Sequence, residues 1–173
     1  RSAARVERAV DLDADFRAGA RVAGRVYAVP FDAQPGALTT TGLADGLFRL
    51  LNSTNDVELL AAMDALGLMR QVSAVASLTE RYQFYRQANK RALAGGALEA
   101  LARIGDPSSQ AIAQAVTTDK WGEGRDSTAL AVAFARERLL KDGSIALIRA
   151  AADDRSRRAQ ALGYLAELGF AVP

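Results

Sequence analysis

The chain has 173 residues, of which half are apolar and 24% are charged, and its formal net charge is +2. This composition is typical of one folded domain and excludes a disordered chain, and the nearly balanced charge does not indicate a strong nucleic-acid footprint. Because the chain has no cysteine and no histidine, disulfides, Cys/His zinc sites and Ser-His-Asp or Cys-His catalysis are all excluded.

The first 40 residues differ from the rest in lacking a clear helical spacing and in containing Pro30 and Pro35. Residues 3–10 resemble a short helix, and residues 21–31 resemble a short strand or an extended arm, without clean alternation. We therefore expect residues 1–40 to form an irregular N-terminal segment or arm, which either caps the first helices or reaches a neighbour.

Residues 41–173 form the second predicted region, which is rich in alanine and leucine with apolar residues three and four positions apart. This spacing predicts helices throughout. Asn55, Asp106 and Asp126 are typical helix-start residues, and Gly105 and Gly169 are typical helix stops. The predicted helices cover about residues 56–69, 72–81, 86–104, 107–116, 126–141, 144–152 and 155–168. Inside the third of these, the pair of glycines at positions 95–96 predicts a close helix contact or a kink.

The helical region also repeats itself. Residues 97–105 match residues 161–169 at an offset of 64, and residues 62–69 align with residues 97–104 at an offset of 35. Residues 142–148 follow residues 106–112 at an offset of 36. A helical hairpin therefore recurs every 32 to 36 residues, and such hairpins bury their apolar faces by stacking on one another.

The repeated blocks have the pattern Ala-Leu-x-x-Leu-Ala-x-Ile/Leu-Gly, with Asp-Pro or Asp-Gly next, and they resemble the short HEAT-like repeats first described in phycobilisome lyases. The resemblance covers about residues 56–169 and implies an all-α fold, an α-solenoid of about three to four hairpins. Residues 134–140 lack the Leu-Gly pattern, Ala94 stands where the last repeat has Arg158, and residues 1–50 match nothing in the family. The alternative is a nonrepetitive helical bundle whose many alanines imitate a repeat.

Two ligand-binding motifs are incomplete. In residues 11–15 carboxylates alternate with apolar residues, as they alternate with other residues in a calcium-binding loop. Such a loop needs glycine and glutamate at positions that Phe16 and Val22 occupy here. Residues 122–127 are rich in glycine before a helix but have no preceding strand and no third glycine. The sequence therefore predicts an acidic turn and a plain loop, with no metal ligands, no cofactor and no catalytic residues.

The best candidate for a binding surface is residues 81–91, which contain four positive charges, no negative charge and three aromatic rings. Such a mixture binds phosphates and stacks bases, or anchors an acidic protein. The predicted partner-binding residues of this stretch are Arg81, Tyr82, Tyr85, Arg86, Lys90 and Arg91. At helical spacing Arg86, Lys90 and Arg91 fall on one side. In the alternative, Phe84 and one tyrosine pack inward while the arginine stems cover the core.

The resemblance implies a second set of contact residues, because the helices that end in glycine usually line the concave face in this family. By position these are Arg91, Glu99, Arg103, Arg155, Gln160 and Glu167. Their mixed charges fit a protein partner better than a nucleic-acid backbone. The sequence thus predicts a noncatalytic protein-binding scaffold; the alternatives are a nucleic-acid-binding repeat and an accessory subunit of a lyase-like complex.

The longest uncharged stretches, residues 33–44 and 107–118, have 12 residues each. A transmembrane helix needs about 18 or more apolar residues, so no membrane span is predicted. The sequence slightly favours a cytoplasmic location over an exported mature chain, and its start at Arg1 is compatible with a processed product. It makes no prediction of oligomeric state.

Overall fold

The structure, a computed structural model, describes residues 40–117, 124 and 126–170. Every regular element in these ranges is a helix, which confirms the all-α prediction for them. The N-terminal arm predicted over residues 1–40, including its acidic turn, lies outside the described residues apart from residue 40, as do residues 122, 123 and 125 of the loop predicted at 122–127.

The described ranges contain eight α-helices and two short 3-10 turns. The helices are α1 (Thr40–Leu50), α2 (Asp56–Leu68), α3 (Val75–Gln87), α4 (Arg91–Ile104), α5 (Gln110–Val116), α6 (Ser127–Leu140), α7 (Ile145–Ala152) and α8 (Arg158–Glu167). The 3-10 turns, Val72–Ala74 and Pro107–Ser109, directly precede α3 and α5. Of the helices in these ranges, none combines the length and the apolarity that a bilayer crossing requires.

Side-chain caps begin these helical segments as the sequence predicts. Asn55, Asp106 and Asp126 each have extended backbone, and the side chain of each accepts a hydrogen bond from a backbone N–H in the following turn. The donors are Val57, Ser108 and Ala129, at 2.9, 2.9 and 2.8 Å. The caps satisfy N–H groups that have no partner inside the helix.

The even-numbered helices share one kind of ending. A residue in the left-handed backbone region follows α2, α4, α6 and α8: Arg70 (φ 50°), Gly105 (φ 73°), Lys141 (φ 54°) and Gly169 (φ 82°). These residues lie 35, 36 and 28 positions apart along the chain. Glycine adopts this region without strain and predicts two of the endings, whereas Arg70 and Lys141 give no such signal.

The break between α3 and α4 corrects the prediction of helices over 72–81 and 86–104. Helix α3 continues to Gln87, and the chain turns at Asn89, whose φ is 54°. The N–H of Lys90 donates to the carbonyl of Tyr85 at 2.8 Å, which closes the turn. Asparagine tolerates the left-handed region better than most residues. Arg86 and Arg91 therefore belong to different helices and do not share a helical face.

The helices pack as neighbouring pairs, α1 on α2, α3 on α4, α5 on α6 and α7 on α8. Helix α4 lies between α2 and α6 and packs extensively against both. The core between the helices is mostly apolar. Its largest buried side chains include Leu47, Met63, Leu66, Leu78, Leu98, Leu101, Phe134, Ile148 and Tyr164.

Glycines let the backbone of α4 approach both neighbours closely. A Cβ atom on Gly67 of α2 would lie 2.8 Å from the Cα of Ala100, and one on Gly95 of α4 would lie 3.4 Å from the Cα of Thr128. The hydroxyl of Thr128 donates to the carbonyl of Arg91 at 3.1 Å. The close contact predicted at residues 95–96 is thereby confirmed, and α4 passes through it without interruption.

Candidate functional site

Charged side chains from three helices meet at Arg103, in the last turn of α4. Its side chain is only 11% exposed and pairs with Asp64 of α2, Glu99 of α4 and Glu167 of α8. The Nε and Nη2 atoms donate to the two oxygens of Glu167 at 2.9 Å each, a bidentate pair. Nη2 also lies 2.6 Å from an oxygen of Glu99. We call Arg103 and these three carboxylates the ion cluster.

Two stacked aromatic rings extend the ion cluster to α6 and α8. The guanidinium of Arg103 lies 6.0 Å from the ring centroid of Phe134, which stacks on Tyr164 at 4.3 Å. The Tyr164 hydroxyl donates to the Glu99 carboxylate and accepts from Nε2 of Gln160 at 2.8 Å. The ion cluster and the two rings together therefore link side chains of α2, α4, α6 and α8.

The electrostatics of the cluster favour a charged arginine and a neutral phenol. Burial disfavours the charged Arg103, but its hydrogen bond to Glu167 and the charges of Glu99 and Asp64 outweigh burial and raise its pKa. Burial and the nearby Glu99 charge raise the pKa of Tyr164 above its ordinary value. Burial also raises the pKa of Glu99, against the pull of Arg103. Arg103 and its carboxylates thus form ion pairs that link α4 to α2 and to α8.

The residues expected on the concave face divide into two groups. Glu99, Arg103 and Glu167 meet in the ion cluster, and Gln160 joins them through Tyr164. In contrast, Arg91 lies at the opposite end of α4, where its Nη2 is 3.0 Å from a carboxylate oxygen of Asp126. Arg155 is exposed in the turn before α8, away from the cluster.

Sequence reasoning missed Asp64, Phe134 and Tyr164 as members of this site. The repeat offset of 35 contained a signal for one of them, because it places Asp64 at the position equivalent to Glu99. No comparable signal points to the two aromatic rings, since buried aromatics occur in every helical core.

The structure corrects the predicted surface at residues 81–91 for both tyrosines. Tyr82 and Tyr85 are 5% and 4% exposed, so their side chains belong to the core and do not present a partner-binding surface. With Leu78 they occupy positions i, i+4 and i+7 of α3, which is one face of a helix. Phe84 is 58% exposed, so the expectation that it packs inward with one tyrosine is also wrong.

The cations of the same stretch contact other parts of the chain. The Arg81 guanidinium donates to the side-chain oxygen of Asn52, and the Lys90 ammonium lies 3.8 Å from a carboxylate oxygen of Asp56. Arg86 lies on the exposed side of α3. The stretch thus links α3 and the α3–α4 turn to neighbouring segments, and its charges do not form one continuous basic face.

A cleft of about 160 Å³ lies where α2, α4, α6 and α8 end. It is lined by Gly67, Leu68, Arg70, Arg103, Arg138 and Glu167, and we call it the arginine cleft. Arg70 is exposed and Arg138 is half-buried. Among the described residues, neither of these two guanidiniums has a hydrogen-bond or ion-pair partner.

A larger cleft of about 850 Å³ lies between α6 and α7. Its floor includes Leu130 and Leu147, and Asp153, Asp154 and Arg157 line its polar part. The Asp154 carboxylate accepts hydrogen bonds from the hydroxyl and N–H of Ser156, which lower its pKa to about 2. It also pairs with Arg157, so Asp154 and Arg157 neutralise each other and Asp153 adds one further negative charge to the cleft.

Across the described ranges, no three acidic side chains are grouped in a way that would hold a metal ion. The described helices form an all-α arrangement of helix pairs, and the mostly buried Arg103 forms ion pairs between three of them. No protein-family model matches the chain, and no curated protein or solved structure matches it either. Its surfaces, charges and helix packing are therefore the basis on which a function is proposed.

Proposed function

We propose that the chain is a noncatalytic scaffold that binds a partner protein. In this proposal it is an α-solenoid of about three to four HEAT-like hairpins, and its concave surface is formed by α2, α4, α6 and α8. The observation that carries the proposal is an exposed leucine, Leu68, at the edge of a cleft that is also lined by Arg70 and Arg138, which have no ionic partner in the described part of the chain.

The helix arrangement supports the solenoid. Helices α2, α4 and α6 pack side by side, and each is paired with the helix before it in the chain. Residues at or just beyond the C-terminal ends of α2, α4, α6 and α8 line one cleft, so these four helices point the same way. Their left-handed endings recur 35, 36 and 28 residues apart. Parallel neighbours related by a regular spacing are typical of stacked hairpins.

Two exposed apolar side chains on α2 support contact with a protein. Val57 and Leu68 are each 52% exposed and lie eleven residues apart, which places them on the same side of a helix. Asp64, a member of the ion cluster, lies between them on that side. Apolar side chains beside arginines are typical of the centre and rim of protein interfaces.

The charge pattern favours a protein over a nucleic acid. Arg103 is shared by three carboxylates, and Lys90 and Arg91 are paired with Asp56 and Asp126. Nucleic-acid binding depends on cations that phosphates can reach and that release counterions on binding. An accessory subunit of a lyase-like complex also binds a protein, and it predicts an activity that appears only in the complex.

Two matched leucine variants test the proposal. Leu68 and Leu147 are 52% and 53% exposed but lie on α2 and on α7, respectively. In a pull-down from nuclease-treated lysate of the source cells, we expect a discrete protein to bind the wild type and Leu147→Asp and to be lost with Leu68→Asp. Circular dichroism shows whether both variants remain folded.

The same experiment distinguishes the alternatives. If Leu68→Asp captures the partner protein as well as the wild type does, the proposed binding surface at Leu68 is wrong. If untreated lysate yields nucleic acid alone, and moderate salt removes it, the nucleic-acid alternative is correct. If the captured complex shows an enzymatic activity that neither component has alone, the accessory-subunit alternative is correct.

A further inference from the structure

We propose that the arginine cleft is a carboxylate-binding site, which holds the side chain of an aspartate or glutamate in an acidic and apolar segment of the partner protein. This inference rests on the proposed function, because the cleft opens beside Leu68 on the same surface. It adds the chemistry of the partner and the residues that would recognise it, Arg70 and Arg138.

The first reason is that these two cations line the same cleft, whereas several other arginines of the described chain are already paired. Arg91, Arg103, Arg136 and Arg157 each form an ion pair with a carboxylate of the chain. The guanidiniums of Arg70 and Arg138 line one small cleft with no such partner among the described residues. Two like charges at one cleft repel each other, and a bound anion removes that repulsion while accepting charge-assisted hydrogen bonds.

The second reason is that Arg103 and Glu167, the other two charged residues that line the cleft, are paired with each other. Glu167 lines the cleft, but both of its oxygens accept hydrogen bonds from Arg103. Arg103 also pairs with Asp64 and Glu99, which do not line the cleft, so its guanidinium is not available to a further ligand. The positive charge offered to a ligand therefore comes from Arg70 and Arg138.

The third reason is the size and lining of the cleft. A volume of about 160 Å³ corresponds to roughly five water molecules at about 30 Å³ each, which suits a carboxylate with one or two methylene groups. Leu68 is 52% exposed at the edge and offers an apolar contact to the residue next to the acidic one.

A purely structural role makes a different prediction. Arg138 lies in the last turn of α6, and Arg70 follows the end of α2, where any cation stabilises the partial negative charge of a helix C-terminus. That role predicts a loss of stability when either arginine is replaced, with no effect on ligand affinity. The two roles are therefore separable when affinity and melting temperature are measured on the same variants.

The test is an NMR titration of the full chain, labelled with ¹⁵N, at low salt and neutral pH. The probes are acetyl-Leu-Glu-Glu-Leu-amide, the matching peptide with glutamine in place of glutamate, and inorganic phosphate. We expect the glutamate peptide to shift the amide signals of Gly67–Arg70 and of Arg138, and the glutamine peptide to bind much more weakly. Arg70→Gln and Arg138→Gln should each weaken binding about tenfold, the effect of losing one charged hydrogen bond.

Arg49→Gln is the matched control, because Arg49 is an exposed arginine on α1 outside the cleft, and it should bind as the wild type does. Equal binding of the two peptides overturns the proposal, as does unchanged affinity in both cleft variants with a lowered melting temperature. Phosphate binding that depends on the same arginines, without peptide binding, overturns the choice of an acidic protein segment.

A second readout separates this inference from the proposed function. In the pull-down, the double variant Arg70→Gln/Arg138→Gln should lose the partner that Leu68→Asp loses. If the double variant captures that partner as well as the wild type does, the carboxylate site is wrong and the scaffold stands. If no capture depends on Leu68 while the glutamate peptide still binds the arginines, the scaffold is wrong and the carboxylate site stands.

Discussion

Arg103 and Glu167 lie 64 residues apart in the chain, and their side chains form a bidentate ion pair with both donor–acceptor distances at 2.9 Å. They occupy equivalent positions in the two sequence blocks that match each other, residues 97–105 and 161–169. The internal similarity of the chain thus places both residues at the same end of their helices, α4 and α8. Packing then decides that they meet.

We expect Arg103→Met to lower the free energy of unfolding by about 3–5 kcal/mol. The substitution keeps much of the side-chain length but removes the cation that three partly buried carboxylates share. Those carboxylates would then repel one another without compensation. Urea denaturation followed by circular dichroism measures the change.

The control for this prediction is Arg91→Met on the same helix. Arg91 also pairs with a carboxylate, but the side chains of Arg91 and Asp126 are 35% and 48% exposed, and exposed pairs contribute only about 0–1 kcal/mol. Comparable losses in the two variants would mean that the ion cluster behaves as an ordinary surface pair.

Glu99 should make stability depend on pH in a defined direction. Burial raises the pKa of Glu99 above its ordinary value near 4.5, with smaller contributions of the same sign from Asp64 and Glu167, while Arg103 and the Tyr164 hydroxyl oppose it. The native state therefore holds this proton more tightly than the unfolded chain does. The stability that Glu99 contributes is full below pH 4.5 and is lost as the pH rises through the raised native pKa.

Glu99→Gln tests this pH dependence, because glutamine keeps the shape and does not ionise. We expect the stability of the variant relative to the wild type to increase as the pH rises from 4 to 7, in urea denaturation at each pH. A relative stability that decreases over this range would mean that Arg103 outweighs burial and that the native pKa of Glu99 is lowered.

Gly67→Ala should destabilise the contact between α2 and α4. The new Cβ would lie 2.8 Å from the backbone Cα of Ala100, so the helices must separate, and such overpacking costs about 1–3 kcal/mol. Gly163→Ala on α8 is the control, because no atom lies within 4 Å of its Cβ position. Alanine is the better helix former, so this variant should gain up to about 1 kcal/mol. Thermal unfolding of the two variants compares them, and a stabilised Gly67→Ala would contradict the close approach.

Phe84 and Tyr85, which are neighbours on α3, should differ sharply in their contribution to the free energy of unfolding. Tyr85 is 4% exposed and Phe84 is 58% exposed. We expect Tyr85→Ala to lower the free energy of unfolding by about 3–5 kcal/mol, as large core truncations do, and Phe84→Ala to lower it by less than about 1 kcal/mol. Equal losses in chemical denaturation would show that Phe84 is also part of the core.

Local features of the fold were predictable because their causes act within a few residues. The caps at Asn55, Asp106 and Asp126 and the endings at Gly105 and Gly169 are read from single side chains and their spacing. The turn at Asn89 was not predictable in the same way. Residues 86–104 have helix-forming composition on both sides of that turn, and the packing of α3 on α4 decides where the chain reverses.

For the candidate site, the sequence indicated which residue types are present and only the tertiary structure decided their partners. Glu99, Arg103 and Glu167 were expected on one face, but the inclusion of Asp64 depends on how closely α2 approaches α4. Likewise, the meeting of Arg70 and Arg138 in one cleft depends on four helices ending together. Composition and periodicity by themselves determined that the described part of the chain is helical, since helix formation depends on neighbours three and four residues away. The pairing of Arg103 with Asp64 and with Glu167 depends on atoms brought together from positions 39 and 64 residues apart, and those distances are set by the packing of whole helices.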